Sequence, residues 1–72
     1  MSSISEGDKV QWDWGKGTGE GTVQKKYTQK ITKKIDGTEV TRDASEDEPA
    51  FLIEQDDGDE VLKSSSELKK AS

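Results

Sequence analysis

The side chains of this sequence that could do chemistry are lysines, carboxylates and four aromatics, and histidine and cysteine are absent. Lack of histidine removes the commonest general base and the commonest metal ligand. Lack of cysteine removes a thiolate nucleophile, a thiolate zinc site and any disulfide framework. A catalytic mechanism would have to use paired carboxylates, a lysine or a Ser-Lys pair. A carboxyl group becomes a useful acid near neutral pH when an apolar pocket raises its pKa. The carboxylates here stand in hydrophilic runs such as Glu46-Asp47-Glu48 and Asp56-Asp57. The residue types therefore point to a binding role, with no catalytic residue, metal or cofactor expected.

Two groups of residues could bind. The first is the lysine-rich segment Lys25, Lys26, Lys30, Lys33 and Lys34, with Tyr27 inside it and Trp14 upstream. Clustered cations with an aromatic can neutralise phosphates and stack a base. The bland alternative is a solvated basic hairpin balancing an acidic remainder. Alternation predicts that Lys25 and Lys33 share the inward parity of Val23 and Ile35, so they must bend outwards or lie where the sheet leaves the core. The second group is the aromatic set Trp12, Trp14, Tyr27 and Phe51. Aromatics around a cavity can cage a quaternary ammonium, but in so small a chain they are also the largest apolar assets for a core. Core packing is the expectation for Trp12 and Phe51, while Trp14 and Tyr27 are divided between core and surface.

Two other patterns are weaker. The run Gly15-Lys16-Gly17-Thr18-Gly19-Glu20-Gly21 is followed by strand formers, not by the helix a phosphate cradle needs, and its spacing fits neither a dinucleotide nor a P-loop motif. It reads as a tight loop or a sharply bent strand. Placing Gly58 at the invariant glycine of a calcium loop puts Ile53 at the first ligand position, so the acidic segments read as solvated charge.

The elements that must position these residues are short strands. Val10, Trp12 and Trp14 alternate with Lys9, Gln11 and Asp13, which is the period of a half-buried strand. Strand character resumes over 22–28 and continues at Ile31, Lys33 and Ile35. Asp36-Gly37 and Asp57-Gly58 are preferred hairpin pairs. The acidic loop 42–49 ends at Pro49, after which Ala50 to Gln55 forms the most apolar run and Glu60 to Lys63 its partner. Ser64 and Glu67 have capping-box spacing before Leu68, enough for one helical turn. Five or six short antiparallel strands with so little helix must curl to bury a face, which predicts an all-β barrel.

Composition sets the outer limits. With 72 residues, 26% of them hydrophobic and 38% charged, the chain has enough for one thin core. The expected organisation is a flexible segment 1–7 and a single domain 8–70. The net charge of −5 disfavours nucleic acid, but residues 1–34 carry seven lysines against four acids, and residues 35–72 four basic residues against twelve acids. No apolar stretch is long enough to span a bilayer, and the N-terminal residues do not resemble a signal peptide. A cytoplasmic, monomeric protein with a protein partner is the resulting expectation.

Asp8-Lys9-Val10-Gln11-Trp12, Gly19 to Val23, and the run from Asp47 through Pro49, Phe51 and Gly58 to Leu68 resemble the hypervirulence-associated Tudor-like domain family. The resemblance covers about residues 7–70. It implies a Tudor-like or SH3-like barrel and brings no established activity with it. The barrel type suggests recognition of methylated lysine or arginine by an aromatic cage, although fold does not fix function. The glycines at 15–21 and the lysines at 25–34 exceed what the resemblance requires. The reading is a small binding module working through its barrel surface, or, as the alternative, a weak binder of single-stranded nucleic acid through the lysine-rich segment 25–34.

Overall fold

The structure is a computed structural model that describes residues 4–35 and 37–71; the side chain of Trp14 lies outside that description. The described residues form seven strands: β1 (Lys9–Trp14), β2 (Gly17–Tyr27), β3 (Ile31–Ile35), β4 (Thr38–Arg42), β5 (Ala50–Gln55), β6 (Glu60–Ser64) and β7 (Lys69–Lys70). One 3₁₀ turn, Ser65–Glu67, separates β6 from β7. All pairings are antiparallel, in a five-stranded sheet of order β6-β5-β2-β1-β7 and a separate β3-β4 ribbon.

The large sheet wraps around one core. Val10 and Trp12 from β1, Val23 from β2, and Phe51 and Ile53 from β5 meet Ile4 and Leu68 in a single buried cluster, with Val61 half-buried beside it. Residues from separated strands can share one cluster because the sheet curls, the expected solution for so few strands. Ile4 had no periodicity to mark it. It lies in the stretch read from the sequence as flexible, yet it is 6% exposed. Backbone bonds hold its neighbours: Gly7 N–H donates to the Val23 carbonyl at 2.8 Å, and Val23 N–H donates to the Asp8 carbonyl at 2.9 Å.

The glycine run is mostly strand. Gly15 and Lys16 alone make the β1–β2 turn, with Gly15 at φ +47°, and Gly17, Gly19 and Gly21 lie within β2. Gly19 leaves room for the Trp12 indole, and Gly21 for Ile53 and the backbone of Glu54. Close approach of neighbouring groups explains these glycines better than loop flexibility does.

Both Asp-Gly hairpins form, in different ways. Ile35 pairs with Thr38, and Gly37 between them has φ +79°; Asp36, the other half of the expected pair, lies outside the described residues. In the β5–β6 hairpin, Gly58 N–H donates to the Gln55 carbonyl and Gln55 N–H to the Asp59 carbonyl. Gly58 at φ +93° is therefore the last residue of a three-residue loop, not half of a central pair.

Residues 50–53 are all buried, so β5 is covered on both faces. Phe51 and Ile53 face the core. Leu52 stands opposite Leu62 of β6 on the other face, and both are buried. The β3-β4 ribbon packs against β6. The ribbon lies in the connection between β2 and β5, which are adjacent paired strands; this connection takes 22 residues, 28–49. A hairpin between neighbours needs about 2–5 residues.

Candidate functional site: the inserted ribbon and the lysine segment

The lysine segment does not fold as one hairpin. Lys25, Lys26 and Tyr27 end β2 in the large sheet, Lys30 sits in the link, and Lys33 and Lys34 belong to β3, whose ladder partner is β4. A β-bulge also changes the expected parity. Val23 pairs with Ile53 and Lys25 with Leu52, so Gln24 is an extra residue. A bulge of one residue reverses the faces beyond it. Lys25 and Tyr27 therefore stand on the face of Leu52 and Ala50, opposite to Val23, and the apolar side of β2 never has to accept Lys25. Lys33 stays with Ile31 and Ile35 on one face of the ribbon and is half-buried.

Lys25, Lys26, Lys30 and Lys34 are exposed, and Tyr27 is half-buried. Among the described residues, none of Lys25, Lys26, Lys30, Lys33 and Lys34 makes an ion pair, while Lys9, Arg42, Lys63 and Lys70 all do. Lys16 and Lys69 make none either, so five of the seven unpaired cations lie in this one segment.

Trp14 is not brought to it. Its backbone pairs with Gly17 at the opposite end of β2 from Tyr27. Trp12 and Phe51 are core residues at 5% and 0% exposure. Tyr27 is therefore the one aromatic among the described side chains that is available to a ligand on this face.

Glu67 fastens the ribbon to the barrel. Its Oε1 accepts the Ser64 N–H at 3.2 Å and Arg42 Nε–H at 3.3 Å, while Oε2 lies 3.6 Å from Lys63 Nζ. Capping-box spacing identified the first bond, but nothing in the sequence connects Glu67 to Arg42. Beside this junction is a cleft of about 180 Å³ between β6 and the ribbon. Its apolar lining comes from Ile35 and Val40 on the ribbon and Val61 and Leu62 on β6. The sequence reading missed it, because it arises only where two elements distant in sequence meet.

A curled five-stranded antiparallel sheet with a 3₁₀ turn before its last strand defines a small all-β module of the Tudor-like or SH3-like type. The chain matches the model of the hypervirulence associated proteins TUDOR domain over residues 7–68, and it belongs to that family. Comparison with curated proteins and with solved structures yields no match. A Tudor-like domain is a binding module by type.

Proposed function

We propose that the protein is a non-enzymatic module that binds an acidic segment of a partner protein through the lysine segment that carries Lys25, Lys26, Tyr27, Lys30, Lys33 and Lys34. The observation that carries this reading is the set of five unpaired lysines within residues 25–34 of a chain of net charge −5, in which four of the six other cations are ion-paired. The long β2–β5 connection supports it, since a connection far beyond what closure requires commonly carries function. Single-stranded nucleic acid is the second reading. Tyr27, half-buried between lysines, offers one face for stacking, while the acidic remainder opposes a long polyanion.

Pull-down from a native lysate with and without nuclease separates the two readings. An acidic protein partner survives nuclease, whereas nucleic acid does not. NMR titration then locates the surface. Acidic peptides are expected to shift the amides of residues 25–34. No shift there with acidic peptides or short single strands at millimolar ligand would overturn both readings. Shifts with a trimethyl-lysine peptide alone would return the cage to consideration.

A further inference from the structure

We infer that the cleft between β6 and the inserted ribbon seats one aliphatic side chain of the acidic partner, with the partner's carboxylate held at the Arg42–Lys63 end. This inference rests on the proposal that the partner is an acidic protein segment.

Size is the first argument. About 180 Å³ lies below the roughly 300–1,000 Å³ of small-molecule pockets. It suits a single side chain. The lining is apolar where the side chain would sit, and Ile35, Val40 and Val61 are each only half-buried. Filling the cleft would remove more of their surface from water, a favourable change.

Charge is the second argument, and it selects the partner. Arg42 and Lys63 share one carboxylate, that of Glu67. Two cations against one anion leave a positive charge at that end. Lys33 is paired opposite Val40 on the same ribbon face and has no ion pair, but it is not part of the cleft lining. Glu60 is the acid lining the far end. A segment with an aliphatic residue and an acidic residue two positions apart would present both side chains to one side when extended. Its carboxylate would meet Arg42 and Lys63, and Glu60 would oppose the reversed placement.

The test is an NMR titration of the labelled full chain with three blocked peptides. One carries a leucine and a glutamate two positions apart within an acidic sequence. The second replaces the leucine by serine, and the third replaces the acids by lysine. The first is expected to shift the amides of Val40, Arg42, Val61 and Lys63 saturably, with the serine peptide weaker by on the order of tenfold. Arg42→Gln is expected to weaken the first peptide and leave the difference between leucine and serine in place. Val61→Ser, checked for an unchanged fold by its remaining amide spectrum, is expected to erase that difference. Shifts at residues 25–34 with none at 40, 42, 61 and 63 would overturn the cleft and leave the lysine surface standing. Absence of shifts in both regions would overturn both. Equal binding of the leucine and serine peptides, or of the lysine peptide, would also overturn the cleft assignment.

Discussion

Trp12 and Gly19 face each other across the β1–β2 ladder, and a methyl group on Gly19 would stand 2.6 Å from Cε2 of the indole. Three ring atoms of Trp12 lie within 2.8 Å of that point. The indole is 5% exposed, so it has no open space into which to retreat. The absence of a side chain on β2 is thus part of how the largest core residue is accommodated.

Gly19→Ala is expected to destabilise the domain by about 1–3 kcal/mol, the usual cost of overpacking. Urea unfolding followed by tryptophan fluorescence measures it. Gly17→Ala is the control, because a methyl group there meets nothing within 4 Å. Equal loss in the two variants would mean that backbone freedom, not the indole, sets the requirement for glycine.

Phe51 is fully buried at the centre of the core cluster. Phe51→Ala is expected to cost about 3–5 kcal/mol, which is a large share of the stability of a small domain. Circular dichroism is expected to show loss of the β spectrum or a strongly lowered melting temperature. A variant that melts like the parent would be incompatible with this placement.

At Gly37 and Gly58 the constraint is conformational. Both have positive φ, and a Cβ at either would meet no atom within 4 Å. Substitution by Val is expected to cost on the order of 1–3 kcal/mol from backbone strain. Asn, which tolerates this region better, is expected to cost less. Thermal melts of the four variants provide the comparison, and equal losses for Asn and Val would remove the conformational explanation.

Glu67 joins Arg42 of the ribbon to Lys63 and Ser64 of the barrel. The groups are about one-third exposed or less, so solvent screens the ion pairs, and Glu67→Gln is expected to lower global stability by less than about 1 kcal/mol. Its larger effect is expected to be local, as faster hydrogen exchange in residues 31–42 than in β5. Uniform acceleration across both regions would show that the ribbon and the sheet open together.

Several features were legible in the sequence because their causes are local. Alternation over Val10 and Trp12, the two Asp-Gly pairs, Pro49 before an apolar run, and the Ser64–Glu67 spacing each reflect chain geometry within a few residues. They were sufficient for an all-β module and for most of its core. Other features depend on what a residue meets across space. The glycines of β2 resemble a loop until Trp12 and Ile53 are seen against them. A one-residue bulge at Gln24 reverses the face of Lys25 and Tyr27, and period-two counting cannot register a break that it does not see. Burial of Ile4 requires the sheet to curl over it. The candidate site shows the same division: the sequence determined that five lysines lie in one segment, while tertiary structure decided which of them face together, separated Trp14 from them, and set Arg42 against Glu67. Charge and periodicity are properties of the chain, but pairing, parity beyond a bulge and the cleft beside β6 exist only once distant segments are packed.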